Sequence, residues 1–410
     1  MTDYYILYCI IKIVFITTSN LQLTTISIFA HYYKHPFMRI GLDAKRAFYN
    51  YTGLGNYSRD TIRILSHHYP KNDYFLYTPK AKQNSRLSFL LNRENTFVRT
   101  PFSYLGNLFK RYWRTFDIVK DLQQDDIDVF HGLSHELPIG IEKTNIKSVV
   151  TIHDLIFIRY PHLFPAIDRK IYFKKFQSAC NRADKIIAIS QQSKSDIVEF
   201  LKIDSTKIEV VYQGCNKVFQ SSVPEEKIEE ICNKFNLPQN FLLNVGTIEE
   251  RKNLLTILKR IRELPTQHLV VIGNGKDYKN KCNTYISDNN LQQRVHFLSG
   301  LELDEMAAIY QKAEIMIYPS VFEGFGIPIL EALFCKTPVI TTKGGCFSET
   351  GGSHSIYINP LSVSELTAAI IKVKSDSNLR DQMIEEGYTY AQNFTDIKVS
   401  ENLHKIYSSL

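Results

Sequence analysis

From Met38 onward, short runs rich in β-branched and aromatic residues alternate with helical stretches, and this alternation constrains the fold most. The first series of predicted strands comprises RIGLD (39–43), YFLYT (74–78), VFHG (129–132), SVVTIHD (148–154), KIIAIS (185–190) and IEVVYQG (208–214), with helices including 113–124 and 168–182. The second comprises FLLNVG (241–246), LVVIG (269–273), RVHFLS (294–299), EIMIYPS (314–320), PVITT (338–342) and SIYINP (355–360). Strands that alternate with helices indicate parallel βαβ units. We therefore predict an α/β protein with two Rossmann-like, doubly wound parallel-sheet domains that face a cleft.

A chain of 410 residues is longer than one hydrophobic core usually serves, which also favours two domains. Residues 217–239 are charged, flanked by prolines and without a strand pattern, so we predict a linker helix there. The N-terminal domain then covers 38–216 and the C-terminal domain 240–385. Because open parallel sheets bind ligands beyond the carboxyl ends of their strands, the cleft is the expected site.

Residues 1–37 form an N-terminal extension of unclear status. Its apolar run is interrupted by Lys12 and is shorter than the roughly 20 residues of a membrane span. The start, MTDYY, carries an acid where a signal peptide carries basic residues. We expect folding to begin at Met38, with the extension either lying outside the fold or making a weak membrane contact.

The charge of +7 favours anionic partners, but the basic residues are scattered, which argues against nucleic-acid binding. One basic and aromatic cluster, FKRYWR (109–114), is either a solvated helix face or a patch that contacts an acceptor or an anionic membrane. The seven cysteines are an odd number and form no C-x-x-C pair. This pattern suits a reducing compartment, so we expect a cytoplasmic protein that is peripheral, if at all, at the inner face of the membrane.

The segment NVGTIEERKNLL predicts an anion site. A strand ends at Gly246, a loop presents Arg251 and Lys252, and Asn253 is placed to cap the following helix. Two cations beside a helix N-terminus attract an anion through both side-chain charge and helix dipole. A solvated loop beside a capped helix would have the same sequence pattern, so the segment alone leaves both interpretations open.

The stretch VFEGFGIPILEA (321–332) places Glu323 before a glycine turn and Glu331 after it. Pro328 suits the first position of a helix, which would put Glu331 in the first turn. Gly324 and Gly326 allow backbone N–H groups to approach a ligand closely. Acids at both ends and turn donors between them suit an elongated ligand with hydroxyls outside and phosphates in the middle. Two glutamates near a helix start remain the simpler alternative.

Two further positions are weaker candidates. Gly55, in GLGNY after the first strand, could bring backbone amides towards phosphates from the opposite domain. His153, at the end of a strand, could hydrogen-bond a sugar hydroxyl, although a lone histidine is more often structural. The D-x-D at 126–128 joins a helix to a strand and is not interpreted as a metal site. GNG (273–275) lacks the third glycine of a dinucleotide site.

Taken together, these segments resemble glycosyltransferase family 4, the retaining group with the GT-B fold. The resemblance runs from about Met38 to the C-terminus and is most specific in GTIEERKNL and EGFGIPILE, with support from GLGNYSRD, TIHDLIF, ADKIIAISQQSKSDI and FTDIKVSENLHKIY. It implies diphosphate binding by Arg251 and Lys252, ribose binding by Glu331 and sugar binding by Glu323 and His153. Gly324, Phe325 and Gly326 would contribute backbone contacts, and residues 386–410 would form a helix that crosses back to the N-terminal domain.

The resemblance implies a metal-independent, retaining hexosyltransferase that needs no cofactor. The nucleotide-sugar donor, GDP-mannose favoured, is its substrate, and the acceptor would be a glycan or lipid-linked glycan in surface polysaccharide synthesis. Two alternatives remain: a GT-B-type sugar-nucleotide 2-epimerase, and a non-catalytic protein that binds a sugar nucleotide.

Overall fold

The computed structural model describes residues 37–102 and 109–410, so the predicted extension lies outside the described residues except for Phe37. Residues Arg39–Leu410 form one compact unit that contains two parallel sheets. The two doubly wound domains predicted from the alternating pattern are therefore confirmed.

The N-terminal sheet has seven strands in the order β3-β2-β1-β4-β5-β6-β7. Its strands are β1 (Arg39–Asp43), β2 (Asp73–Tyr77), β3 (Thr96–Arg99), β4 (Val129–Gly132), β5 (Lys147–Ile152), β6 (Lys185–Ala188) and β7 (Ile208–Val210). The helices around it are α1 (Lys45–Tyr49), α2 (Gly53–His68), α3 (residues 110–124, with a π-helical turn at Trp113–Asp117), α4 (Ile156–Arg159), α5 (Ala166–Arg182) and α6 (Gln191–Leu201). The strand order reverses between β1 and β4.

The C-terminal sheet has six strands in the order β10-β9-β8-β11-β12-β13. Its strands are β8 (Phe241–Val245), β9 (His268–Ile272), β10 (Val295–Leu298), β11 (Ile315–Tyr318), β12 (Val339–Thr342) and β13 (Ile356–Ile358). Its helices are α7 (Glu225–Lys234), α8 (Leu254–Glu263), α9 (Asp277–Asp288), α10 (Leu303–Lys312), α11 (Ile327–Phe334), α12 (Cys346–Gly351), α13 (Val363–Ser375), α14 (Ser377–Ala391) and α15 (Asp396–Ser408). Here the order reverses between β8 and β11.

The central strands are buried on both faces, as expected for parallel sheets covered by helices. Every residue of β4, β8, β11 and β12 is buried. Such strands show continuous apolar runs rather than alternation, which is why their positions were predictable. α7, within the predicted linker, packs on α10 of the C-terminal domain through ion pairs such as Lys312 to Glu225 at 3.5 Å.

Three local predictions were wrong or incomplete. The glycine-rich segment GLGNYSRD is not a loop, because α2 begins at Gly53 and includes it. β3 was not predicted, since TFVR is short and lies only half-buried at the sheet edge. α3 begins three residues earlier than expected, at Lys110.

The last helix, α15, packs against α2 of the N-terminal domain, but it begins at Asp396 rather than near residue 386 as predicted, because α14 continues to Ala391. Arg63 on α2 donates to Asp396 at 2.6 Å at the start of α15. Near its end, the Tyr407 hydroxyl lies 2.6 Å from His131 Nδ1 inside the N-terminal domain. The chain thus leaves the C-terminal domain at Phe394 and ends on the other domain.

His131 is completely buried in β4, and its two ring nitrogens are held by Tyr407 and by Thr151, the latter at 2.7 Å. Burial lowers the pKa of His131 to about 3, and the nearby His153 lowers it further. At pH 7 the histidine is neutral in both folded and unfolded chains. Below its ordinary pKa of about 6.5, only the unfolded chain takes up the proton, so acid destabilises the fold.

We predict that His131→Gln makes folding less sensitive to acid. Between pH 7 and pH 5, proton uptake by an unfolded histidine costs the fold about 2 kcal/mol, a cost that glutamine removes while keeping a donor and an acceptor. The fall in unfolding free energy between these pH values, measured by urea denaturation, should be about 2 kcal/mol smaller in the variant. His162→Gln, at an exposed position, is the control, and equal pH dependence in wild type and His131→Gln would contradict the prediction.

Candidate active site

The candidate site lies where the order of the C-terminal sheet reverses. β8 ends at Val245 and leads through Gly246 to a 3₁₀ turn at Glu250–Lys252, whereas β11 ends at Tyr318 and leads to the loop 319–326. β8 and β11 are neighbours in the sheet, so both loops leave the same edge. Ligands of doubly wound sheets bind at this kind of position.

The loops bring three of the predicted residues together around one carboxylate. Glu323 Oε1 lies 2.7 Å from Arg251 Nη1 and 2.5 Å from Lys252 Nζ. The hydroxyl of Tyr318 donates to the same oxygen at 3.0 Å and accepts from Lys252 at 2.6 Å. Sequence reasoning missed Tyr318, whose only signal was a polar aromatic residue at the end of a buried strand.

These contacts set the charge states of the cluster. Burial alone would raise the pKa of Glu323, but the charges of Lys252 and Arg251 outweigh it and lower that pKa to about 2. Burial lowers the pKa of Lys252, although Glu323 acts in the opposite direction. Burial also opposes the charge of Arg251, but Glu323 and Glu249 raise its pKa. At neutral pH the cluster therefore contains a carboxylate that is firmly ionised.

Glu331 is placed differently from the prediction. α11 begins at Ile327, so Pro328 is its second residue rather than its first, and Glu331 lies beyond the first turn. Its carboxylate accepts a hydrogen bond from Tyr310 at 2.8 Å. Burial raises the pKa of Glu331 to about 7, with a further contribution from Asp60 of the N-terminal domain. Glu331 is thus half-buried beside Tyr310, and its carboxyl group loses its proton as the pH rises through neutrality.

The turn between the two glutamates touches the N-terminal domain. At Gly324 an added Cβ would lie 2.3 Å from the carbonyl oxygen of His153, so only glycine allows this approach. The ring of His153 is buried, donates through Nε2 to the carbonyl of Leu133 at 2.9 Å and packs edge-on against Tyr57. Burial lowers the pKa of His153 to about 4.

The remaining predicted residues have mainly structural surroundings. The Phe325 ring is buried against Tyr212, and Gly326 has a φ of 100° where α11 begins. Gly55 lies in the first turn of α2, where a Cβ would meet the carbonyl oxygen of Asn50 at 1.9 Å. Gly246 has a φ of 143° and lies beside the Lys252 side chain.

Asn253 occupies the N-cap position of α8, but its side chain makes no cap hydrogen bond, contrary to the prediction. Its backbone is left-handed, with a φ of 57°, and its amide donates to the carbonyl of Pro360. The Asn253 side chain therefore ties the loop that carries Arg251 and Lys252 to the segment after β13, and it does not cap the helix.

A cavity of about 380 Å³ opens beside the Glu323 cluster and is shared by both domains. The C-terminal domain contributes Arg251, Glu323, Gly324 and their neighbours, and the N-terminal domain contributes Asp154 and the segment around α4. Asp154 accepts from the backbone of Ile156 at 3.1 Å, and burial raises its pKa. The sequence pointed to His153 at the end of this strand, but the next residue, Asp154, lines the cavity and His153 does not.

A second contact across the cleft is made by Glu349 of α12. Its two carboxylate oxygens accept from the backbone N–H groups of Gln191 at 2.6 Å and Gln192 at 3.0 Å, the first residues of α6. A carboxylate at a helix N-terminus is favoured by the helix dipole as well as by these bonds. Glu349 therefore holds the domains together on the side of the cleft near Tyr212.

Two family models match the sequence, one in each domain. The model described as Glycosyltransferase Family 4 matches residues 53–217, and the model described as Glycosyl transferases group 1 matches residues 227–390. Together they cover most of the chain. The protein belongs to the glycosyltransferases, and the family resemblance predicted from its motifs is confirmed.

Curated relatives carry names from polysaccharide synthesis. O-antigen chain mannosyltransferase B of Escherichia coli is 23% identical over 370 residues, which cover 85% of this chain and 93% of that protein. O-antigen chain mannosyltransferase RfbU of Salmonella typhimurium is 29% identical over 228 residues, which cover 55% of this chain and 59% of that protein.

Among solved structures, Anabaena HepE, determined in complex with UDP and glucose, superposes with a TM-score of 0.73 at 18% identity. The match covers 91% of this chain and all of that one. At this identity the match supports the fold alone, and the predicted GT-B arrangement is confirmed.

Two features are absent from the described residues (37–102 and 109–410). These residues contain no group of three or more His, Cys, Asp or Glu side chains arranged to hold a metal ion. No described helix is both long and apolar enough to cross a membrane.

We predict that Gly324→Ala separates the two domains. Its Cβ would overlap the His153 carbonyl oxygen, and relieving an overlap of this kind typically costs about 1–3 kcal/mol. We expect a larger radius of gyration in solution scattering and a lower unfolding free energy. Gly53→Ala is the control because its Cβ meets nothing within 4 Å. A Gly324→Ala protein with unchanged scattering and stability would show that the contact is not restrictive.

Proposed function

We propose that this chain is a retaining, metal-independent hexosyltransferase that transfers mannose from GDP-mannose to a glycan or lipid-linked glycan acceptor in surface polysaccharide synthesis. The observation that carries the proposal is the pair of cations, Arg251 and Lys252, on the Glu323 carboxylate, because Arg251 and Glu323 line a cavity to which both domains contribute. The names of the relatives in Escherichia coli and Salmonella support mannose as the hexose and a polysaccharide as the product.

The proposed mechanism places the two cations at the leaving group. As the bond between the sugar and the phosphate breaks, negative charge develops on the nucleoside diphosphate, and Arg251 and Lys252 stabilise it. A phosphate oxygen of the leaving group takes the proton of the acceptor hydroxyl on the same face of the sugar, which retains the anomeric configuration. No metal ion or cofactor is needed in this mechanism, because fixed positive charges provide the stabilisation.

The other predicted residues have binding roles in this proposal. Glu323 orients the sugar hydroxyls. Its carboxylate is already held in place by Arg251, Lys252 and Tyr318 before the substrate binds. Glu331 accepts hydrogen bonds from the ribose, a role that requires its ionised form. The turn Gly324–Phe325–Gly326, together with Gly246 and Gly55, supplies backbone contacts. A contact between His153 and the sugar stays a prediction, because its buried ring bonds to the Leu133 carbonyl and does not line the cavity.

We predict that Arg251→Met and Lys252→Met each lower kcat by about 100- to 1,000-fold, as expected when a transition-state donor is lost. Lys259→Met is the matched control, because Lys259 is an exposed cation on the helix that follows. A thermal-shift screen of a panel of nucleotide sugars, with GDP-mannose tested first, would identify the donor. Rates would then be measured with that donor. A bound donor raises the unfolding temperature according to its concentration and affinity.

The same assays separate the alternatives. Conversion of the nucleotide sugar to an epimer without acceptor would favour the 2-epimerase, and donor binding without transfer or hydrolysis would favour the non-catalytic protein. Loss of activity on chelation, with Lys252→Met remaining active, would contradict the metal-independent mechanism.

We further propose a peripheral contact with an anionic membrane at the inner face of the cytoplasmic membrane. The beginning of α3 exposes Phe109, Tyr112 and Phe116 beside Lys110 and Arg111, and α5 exposes apolar residues beside lysines in the same way. Aromatic side chains and cations together suit the interface of an anionic bilayer. Arg114, included in this patch from the sequence, does not belong to it, because its guanidinium is partly buried and paired with Asp43 and Glu136.

We predict that replacing Lys110 and Arg111 by Ser weakens binding to anionic vesicles about 30-fold, from roughly 1 kcal/mol for each basic residue near the surface. Flotation with phosphatidylserine vesicles would measure the change. The exposed pair Lys276 and Lys281, replaced by Ser, is the charge-matched control. Equal binding by both double variants would refute the membrane contact at this patch.

A further inference from the structure

A second cavity of about 100 Å³ lies wholly within the N-terminal domain, between α3 and α5. Asp43, the last residue of β1, lines one side, and Glu136, which follows β4, lines another. β1 and β4 are the neighbouring strands at which the order of this sheet reverses. The cavity therefore occupies in the N-terminal sheet the position that the Glu323 cluster occupies in the C-terminal one, where doubly wound folds bind ligands.

The cations that line this cavity are matched by carboxylates. Arg114 contacts both Asp43, at 2.5 Å, and Glu136. Lys175 lies 3.2 Å from Glu136, and Arg182 lies 3.5 Å from Glu142. A site with matched charges offers little net attraction to a phosphate. Its carboxylate oxygens retain lone pairs and its cations retain N–H groups, so it can still bind neutral hydroxyls.

The opposite wall of the cavity is apolar, with contributions from Ile118, Phe130, Leu137, Pro138 and Ile139. The Ile139 side chain is 45% exposed, so the apolar wall continues to the surface. A volume of this size holds about three water-sized groups. A polar wall and an apolar wall around this volume suit the edge of one sugar ring, with vicinal hydroxyls on one side and C–H groups on the other.

Contacting aromatic rings connect the chain segments that line this cavity and the cavity beside Glu323. Glu136 follows His135, whose ring stacks on Phe176 at 4.3 Å and lies 5.0 Å from the ring of His153. Asp154, the next residue, lines the cavity beside Glu323. A sugar in the second cavity would therefore be separated from the reacting centre and would belong to another part of the acceptor.

We propose that the cavity between α3 and α5 is a subsite for a neutral sugar of the acceptor glycan, distinct from the sugar that receives the hexose. Asp43 and Glu136 accept hydrogen bonds from its hydroxyls, Lys175 and Arg114 donate to them, and the apolar wall contacts its ring. This inference rests on the proposed function, since it assumes a glycan acceptor, and it adds the class of group that the N-terminal domain recognises.

Two variants test the subsite in the full chain. Lys175→Met removes a donor whose side chain is half exposed, and Ser178→Leu fills the cavity while the ion pairs of Arg114 remain. Lys174→Met is the matched control, because it is the neighbouring exposed lysine on α5 and does not line the cavity. Thermal unfolding of each variant checks that the fold is intact.

Binding would be measured by saturation-transfer NMR with mannotriose, maltotriose and N-acetylchitotriose, and separately with inorganic pyrophosphate. We expect at least one trisaccharide to bind the wild type and Lys174→Met, and to bind Lys175→Met and Ser178→Leu about tenfold more weakly, as for one lost hydrogen bond to a charged group. Failure of all three trisaccharides to bind, or equal binding by all variants, would overturn the proposal. Pyrophosphate binding that Lys175→Met abolishes would also overturn it in favour of a lipid diphosphate.

Kinetics then distinguish this site from the donor site. With the trisaccharide as acceptor, KM should rise in Lys175→Met while kcat and the thermal shift by GDP-mannose stay unchanged. With the matching monosaccharide methyl glycoside, KM should not change. A rise in KM for both acceptors would overturn the separation from the receiving sugar. Absence of any nucleotide-sugar binding in the wild type would instead refute the proposed function.

Discussion

The approach of Gly324 to the carbonyl of His153 is the contact on which the candidate site depends. It brings the loop that follows β11 against the end of β5, so the carboxyl edges of the two sheets face each other and touch at this loop. The cavity beside Glu323 is a direct consequence, because its lining comes from both loops. Two other contacts between the domains reinforce this arrangement: Glu349 of α12 accepts hydrogen bonds from the start of α6, and α15 packs against α2.

In both candidate sites, the cationic side chains are paired with carboxylates in small clusters. In the C-terminal domain, Glu323 neutralises part of the charge of Arg251 and Lys252, and in the N-terminal domain Asp43 and Glu136 enclose Arg114. Burial makes an isolated charge costly, and an opposite partner offsets that cost. The pairs also hold each side chain in one geometry. Such a site binds a ligand through the fixed positions of its donors and acceptors more than through its net charge. The modest net charge of +7 is consistent with this pairing of charges.

Glu331 and the buried histidines respond to pH in opposite ways. Burial raises the pKa of Glu331, which stabilises the folded state in acid relative to the unfolded chain, whereas burial lowers the pKa of His131 and His153, which destabilises it. A single pH profile of the wild type would therefore mix both effects. The ionisation of Glu331 near neutral pH links ribose recognition, in the proposed function, to the protonation of a site residue.

The sequence alone determined the two-sheet architecture and nearly all the strands, and the family resemblance assigned Arg251, Lys252 and Glu323 to one ligand. Continuous apolar runs fix parallel strands, and loops after neighbouring strands must meet at one edge. The helical start of α2, the hydrogen bond from Tyr310 to Glu331, the part played by Asp154 and the cavity between α3 and α5 were decided only by tertiary structure. The last three depend on residues far apart in the chain, and local patterns do not specify which distant side chains come into contact.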